Sequence, residues 1–326
     1  MLDELKKLKK RLKEKLNHLN KVIRYVQKQT NKFYIAILFD LIWCYLIYTM
    51  DIEEYRKLEL YNSNHDQRKT YLNKFKHDLL KKLMYKKDIL PIIRNKEKFL
   101  KRFENYIQRE IKNVNDISFK QFEEILLKNK KIICRSKNSD FISSYQVYDA
   151  TNFRGPGFVL EKIKNNKIYY IEKYIEPPKK LKEITDELVV INLVTMVNNN
   201  KIDVISSYIT YKENNEIIRG YIDIKKSKVK GHLRDSNNCI YDEKVVNYDI
   251  PYIDEMIEYV KELAKEIDEI KEVEWSLCLD NKGKIYLMDA CTWKNYIFAQ
   301  TPEYTNKKIG LLPYYKKTLL KNKREN

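Results

Sequence analysis

The residue types best suited to metal or nucleophilic chemistry are sparse and scattered in this chain. Its five cysteines (Cys44, Cys134, Cys239, Cys278 and Cys291) are odd in number and far apart, and its four histidines (His18, His65, His77 and His232) do not cluster with them. Zinc sites draw ligands at short repeated spacings, and secreted scaffolds pair their cysteines. Neither arrangement is indicated, and a reducing compartment is expected. A phosphate site built on a glycine loop is excluded as well. The 326 residues include only 6 glycines, against roughly 23 at an average usage of about 7%, and neither GxxxxGK[ST] nor GxGxxG occurs. Any chemistry therefore rests on carboxylates and cations. The chain has 46 Asp+Glu against 64 Lys+Arg, a formal charge of +18.

That charge has two readings. The excess is mostly Lys, spread along the whole chain and interleaved with Glu, which suits solubility and a compositional bias. The other reading is a basic surface that meets lipid head groups, nucleotides or nucleic acid. Zinc-finger spacing, an RNP sequence and a basic zipper are all lacking, so nucleic acid is not the expected partner. A hydrophobic share of 43% and an aromatic share of 12% exceed what a disordered chain carries.

The elements that must position these charges fall into two blocks. Residues 1–30 place Leu2, Leu5, Leu8, Leu12, Leu16, Leu19, Ile23 and Val26 at steps of three and four, the spacing of one helical face. Ten Lys/Arg stand on the remaining positions against Asp3, Glu4 and Glu14. A helix of this kind packs on its own domain, the favoured reading, or lies on an anionic membrane. The most apolar stretch, 33–50, approaches the length of a bilayer span, but Asp40 near its middle costs insertion about 2.5–3.5 kcal/mol. A buried core helix is predicted there. The first residues are charged throughout and lack the apolar run of a secretory signal, so a cytoplasmic location, with membrane association left open, is expected. From 55 to 130 the pattern stays helical and polar, divided by Pro91.

After 132 short β-rich runs begin. KIICRS reads as a strand, and GFVLEKI with IYYIEKYI as a hairpin about an Asn-Asn turn. LVVINLVTMV with KIDVISSYITY, then IIRGYIDI, add strands. A helix over 252–270 follows, with Ile253, Met256, Ile257, Val260, Leu263, Ala264 and Ile267 on one face, and VEWSLCLD with KIYLMDAC closes as a hairpin. The tail 307–326 is basic. Helices first and mixed strands and helices afterwards define an α+β chain.

In this order the segments resemble the ATP-grasp proteins of the sugar-transfer-associated, TupA-like group, linked to teichuronopeptide and capsule polysaccharide synthesis. The resemblance covers roughly 35–315. It is carried by the Asn-Lys element after Pro91, the strand IICRS, the strand with IEKYI, INLVTMV, RGYIDI, the long helix and the closing hairpin. It implies an N-terminal helical region (1–90) and a two-lobed ATP-grasp-like domain (91–326), with a smaller nucleotide lobe at 131–178 and a larger lobe at 179–315. It also implies ATP and Mg²⁺ as cofactors, with a carboxylate activated as an acyl phosphate for attack by an amine or hydroxyl.

Carried over residue by residue, the family's two phosphate lysines fall on Lys96 and on Arg135, with Lys137 as a fallback. Arg keeps the charge and contacts phosphate in a different, bidentate geometry. The following loop, SKNSDFISSYQV, lacks glycine, though Ser136, Ser139, Ser143 and Ser144 offer hydroxyls. Residues 171–175 match the hinge strand, which makes Glu172 the adenine or ribose contact, with Tyr174 and Ile175 beside it. At the metal site the acid expected after Trp275 is Ser276, and the partner strand reads Asp289-Ala290-Cys291. Asp289 remains for Mg²⁺, with Asp280 or Glu274 as its companion. Arg219 and Lys294 are the candidate catalytic cations; Lys212, Asn192 and Asn295 are weaker. Three functions follow: an ATP-grasp ligase or transferase of envelope polysaccharide synthesis, an ATP-grasp-like binder of a nucleotide-sugar, polysaccharide or partner enzyme, and a basic membrane-surface or nucleic-acid-binding protein. The partners implied are a nucleotide and a sugar or polysaccharide acceptor, with residues 1–30 touching the inner face of the membrane.

Overall fold

The computed structural model describes residues 2–137, 141–149, 155–198, 201–305 and 308–320. Two compact units are present, Met1–Leu83 with Lys294–Asn326, and Met84–Trp293. The sequence reading kept 91–326 together; in the structure the last stretch returns to the N-terminal helices.

The first unit is helical. α1 (Leu2–Thr30) ends where Asn31 takes a left-handed conformation at φ 56°, which Asn tolerates better than most residues. α2 (Tyr34–Tyr48) leaves at a bend of 113°. Only the last turns of α1 pack: Val22, Ile23 and Val26 are buried, while Leu5, Leu8, Leu12 and Leu16 remain 49–59% exposed. The apolar repeat thus covers two environments.

α2 departs from the expected core helix in the same way. It buries Ile37, Leu41, Cys44 and Tyr48 along one stripe, against Tyr55, Leu58, Leu60 and Tyr61, and leaves its other side open. Asp40 explains how a charge is tolerated beside that stripe. It accepts hydrogen bonds from Arg68 at 2.6 and 2.8 Å and from the Tyr55 hydroxyl at 2.7 Å. Arg68 also donates to the Leu60 carbonyl at 3.0 and 2.7 Å. A half-buried carboxylate with these partners escapes most of the cost of leaving water.

The returning chain is fastened by Gln300, whose amide donates to the Leu72 carbonyl at 2.8 Å and accepts from the Leu72 N–H at 2.7 Å. Gly310 passes so close that an added Cβ would lie 2.5 Å from Tyr71 Cα. Only glycine fits there.

The second unit contains two antiparallel sheets. The smaller is formed by β1 (Ile111–Asn113), β2 (Lys131–Arg135), β3 (Gln146–Asp149) and β4 (Tyr170–Lys173), in the order β1-β4-β2-β3. Period-2 alternation sends Ile132, Cys134 and Ile171 to one face, where they join Phe122, Leu126, Val159 and Ile163 of the covering helices. Ile133, Arg135, Tyr170 and Glu172 share the opposite face, as the pairs Ile133↔Glu172 and Arg135↔Tyr170 require.

One covering helix, Pro156–Asn165, occupies the stretch read as the first arm of a hairpin. Pro156 at its first turn suits a helix start, and Val159 and Ile163, four residues apart, are its buried positions. That spacing is helical.

The larger sheet joins β5 (Val190–Asn198), β6 (Lys201–Glu213), β7 (Glu216–Asp223), β8 (Lys228–Arg234), β9 (Ile240–Asp249), β10 (Glu272–Leu279) and β11 (Ile285–Cys291), in the order β11-β10-β5-β6-β7-β8-β9. The helix Ile253–Lys265 packs on β5, β6 and β10 through Met256, Val260, Leu263 and Ala264. The two sheets share a core in which Ile133 and Ile175 meet Leu188, Val190, Cys278 and Met288. An α+β chain with N-terminal helices followed by a smaller and a larger sheet is thus observed, as expected.

Candidate functional site

Five charged side chains from separate stretches of the second unit converge where β2 and β4 face the end of β11. Lys96 opens the helix Lys96–Arg102, which Asn95 caps by accepting from the Lys98 N–H at 3.1 Å. Arg109 precedes β1. Arg135 ends β2, Glu172 lies in β4 and Asp289 in β11. All five are largely removed from solvent, with side-chain exposures of 6, 2, 1, 0 and 11%.

Arg135 is the hub. It donates to Asp289 Oδ2 at 2.7 Å, to Glu172 Oε1 at 3.3 Å and to the Met288 carbonyl at 3.2 Å. Its guanidinium lies 4.6 Å from the Phe141 ring centroid, a cation–π contact. Its Nε is buried without a hydrogen-bond partner among the described residues. Arg109 binds Glu172 Oε2 through Nε at 2.8 Å and donates to the carbonyls of Leu287 and Met288. Lys96 donates to the Met288 carbonyl at 2.9 Å and lies 3.6 Å from Asp289 Oδ1.

The electrostatics follow from burial set against pairing. Burial alone would raise the Glu172 carboxyl, but Arg109, Arg135 and Lys96 hold it at about 2. Burial likewise opposes the Arg135 charge, and Asp289 with Glu172 outweighs it, so its pKa is raised. Lys96 is the exception. Burial and then Arg135 push its amine down to about 7, against the opposing pull of Asp289 and Glu172. Three cations meet two carboxylates, so the cluster carries one uncompensated positive charge when Lys96 is protonated. A buried excess charge attracts an anion.

The expected site residues divide accordingly. Lys96, Arg135, Glu172 and Asp289 are brought together. Glu172, assigned to adenine or ribose by the resemblance, has both oxygens bound by arginines and acts here as their charge partner. Ile175 lies in the core between the sheets, and the Tyr174 ring is 5.5 Å from Lys131 Nζ. Lys137 pairs with Glu97 at 3.1 Å and lies over the Tyr169 ring. Of the loop hydroxyls, Ser139 falls outside the described residues, and Ser144 donates to the Phe141 carbonyl at 3.4 Å.

Arg219 shares the face of the larger sheet on which Asp289, Ser276, Asn192 and Tyr208 stand, as the registers show. It is four strands from β11, roughly 19 Å at the usual strand spacing. Lys294 belongs to the other unit and is exposed there.

The carboxylates expected at the metal are held apart or engaged by other groups. Asp280 sits at the turn of the β10–β11 hairpin, where Oδ1 accepts the N–H groups of Lys282 and Lys284 at 2.9 Å. Asp289 pairs in register with Ser276, four residues from Asp280 and so roughly 13 Å away along the strand. The two carboxylates do not share one ion. Glu274 accepts the Tyr208 hydroxyl at 2.5 Å, and Ser276 donates to Asn192 at 3.0 Å. Mg²⁺ takes one or two carboxylates; of those near this face, Asp289 is bound by Arg135 and faces Lys96, Glu172 is bound by two arginines, and Glu274 is engaged by Tyr208. The residues do not fit the metal.

Arg109 and Phe141 escaped the sequence reading. Arg109 carried one usable signal, a cation two residues before a short strand, but β1 is only three residues long. Phe141 opens a helical turn, Phe141–Ser144, within the glycine-free segment and stacks on Tyr145; its aromatic ring covers Arg135.

No family model and no curated protein matches the chain. Among solved structures it is similar to D-alanyl-alanine synthetase A from Vibrio cholerae O1 biovar eltor, with 10% identity over 71% of this chain and 66% of that one, at a TM-score of 0.43. It is also similar to the N5-carboxyaminoimidazole synthetase of Staphylococcus aureus complexed with ADP, with 10% identity over 63% and 46% and a TM-score of 0.41. A third is the L-amino acid ligase of Bacillus licheniformis, with 12% identity over 62% and 41% and a TM-score of 0.36. The chain spans about half the length of the carboxyaminoimidazole synthetases it matches, 43–52%.

Proposed function

We propose that the chain is an ATP-grasp-type ATP-dependent ligase or transferase of cell-envelope polysaccharide synthesis, acting at the cytoplasmic side. The observation that carries the reading is the excess positive charge of the buried cluster. Four residues singled out from the sequence, Lys96, Arg135, Glu172 and Asp289, meet there between a smaller and a larger antiparallel sheet. Lys96 and Arg135 would hold the phosphates, the Nε of Arg135 supplying a donor that no group among the described residues uses. ATP, when bound, supplies the phosphoryl group that activates a carboxylate. Glu172, itself bound by Arg109, holds Arg135 in place, and the Phe141 ring covers the guanidinium. Lys96, poised at about 7, switches between cation and neutral amine near neutral pH. Its protonated form is the phosphate-binding one.

A second reading is favoured by the metal misfit: the protein binds a nucleotide or nucleotide-sugar without turnover. The experiment that separates the two measures ADP release from ATP and Mg²⁺ in the presence of carboxylate and amine or sugar acceptors, alongside ATP binding. Binding with ADP release that is lost in Arg135→Lys supports the ligase. Binding without release supports the second reading, and no binding contradicts both.

A further inference from the structure

We propose that α1 and the open side of α2 form a docking surface for an anionic lipid bilayer, touched peripherally and not spanned. The inference is independent of the ligase reading.

The open side of α2 is apolar. Phe33 is 85% exposed, and Ile35, Phe39, Trp43 and Leu46 are 53–67% exposed. Steps of four, four and three from Ile35 to Leu46 align these side chains along one side of the helix. Isolated exposed apolar residues need no explanation, but a continuous apolar strip marks an interaction surface. Asp40, the one charged residue of α2, is turned inward to Arg68 and Tyr55. The objection that this charge raises against membrane contact therefore disappears: the open side is uncharged. Its Trp and Tyr content matches the water–bilayer boundary, where amphipathic rings settle.

Charge complementarity selects the occupant. In residues 1–30, ten Lys/Arg stand against Asp3, Glu4 and Glu14, an excess of seven. Leu5, Leu8, Leu12 and Leu16 form an exposed apolar stripe between those cations. A basic amphipathic helix beside an uncharged aromatic strip fits a surface with anionic head groups over an apolar interior. A second copy of this basic helix would be repelled. Among the described residues no single helix is long and apolar enough to cross a membrane, and α1 and α2 reach that length and apolarity only together, as a pair bent by 113°. In this proposal both lie in the interface plane, where the cations of α1 stay in water.

The test uses the full chain, with vesicles of phosphatidylcholine alone or mixed with phosphatidylglycerol, read by flotation and Trp43 emission. The expected result is partition onto the anionic vesicles at least about tenfold above the neutral ones, weakened by salt, with a blue shift absent from Trp43→Phe. The triple change Phe39→Ser, Trp43→Ser, Leu46→Ser lowers partition about tenfold or more, and Lys9→Gln with Lys10→Gln and Lys13→Gln lowers it while leaving the aromatic strip intact. Circular dichroism matching the parent confirms the fold of each variant. Three results would overturn the proposal: folded protein that stays off anionic vesicles, retention on a soluble polyanion as strong as on vesicles with no Trp43 shift, and concentration-dependent self-association abolished by the triple change.

Discussion

Lys96→Met probes the cluster through its one cation that burial disfavours. The amine falls from an ordinary 10.5 to about 7 in the folded protein and returns to its ordinary value on unfolding. Between these values the unfolded chain holds a proton that the native state has lost, so stability rises with pH through this window. Each unit is worth at most about 1.4 kcal/mol, so this group adds about 2–3 kcal/mol between about pH 7 and pH 9. Below 7 the amine is charged in both states and the dependence vanishes. Met keeps the length of the side chain and does not titrate. Urea unfolding of parent and variant from about pH 6 to 9, followed by the emission of the buried Trp275, gives both stabilities. The stability of the parent relative to the variant should climb across the upper half of that range. A flat difference would show that Lys96 stays protonated in the native state, and would refute the argument from burial.

Other perturbations have defined outcomes. Arg135→Met leaves Asp289 facing only Lys96, so a loss of about 3–5 kcal/mol is expected. In a double-mutant cycle with Asp289→Asn the two losses should add to more than the double change costs. Glu172 is held at about 2, below its ordinary 4.5, so its contribution of about 3 kcal/mol is complete above about pH 5 and disappears as pH falls toward 2. Acid titration of Glu172→Gln against the parent should show a stability gap that closes over that interval. Asp40→Asn weakens the bonds to Arg68 and Tyr55, at a cost of about 1–3 kcal/mol measured by thermal or urea unfolding.

What was legible in the sequence tracks the range of the physics behind each element. The hairpin Val190–Asn198 with Lys201–Glu213 and the closing hairpin of β10 and β11 were readable because strand alternation and a short polar turn are local signals. The helix Ile253–Lys265 was readable from its apolar face. The stretch 156–165 misled because apolar residues in a short run suit either period, and Pro156 decides the matter only once its place at a helix start is recognised. β8 and β9 were passed over, since their charged outward positions dilute the alternation. The 33–50 stretch was read as core from its apolarity and from Asp40 near its middle, neither of which registers that half of a helix can face outward. Arg109 lay beyond any local pattern, because its partners in β4 and β11 are fixed only by sheet topology.

The proposed function stands on Lys96 and Arg135 binding a nucleotide's phosphates. Calorimetric titration of the folded parent with ATP, repeated with Arg135→Lys and at pH values on either side of 7, tests it most directly. Binding is expected to weaken as pH rises through about 7 and Lys96 loses its proton, and to fall at least about tenfold in Arg135→Lys, which has no counterpart of the free Nε–H. Absence of binding, or binding indifferent to both the substitution and the pH, would contradict it.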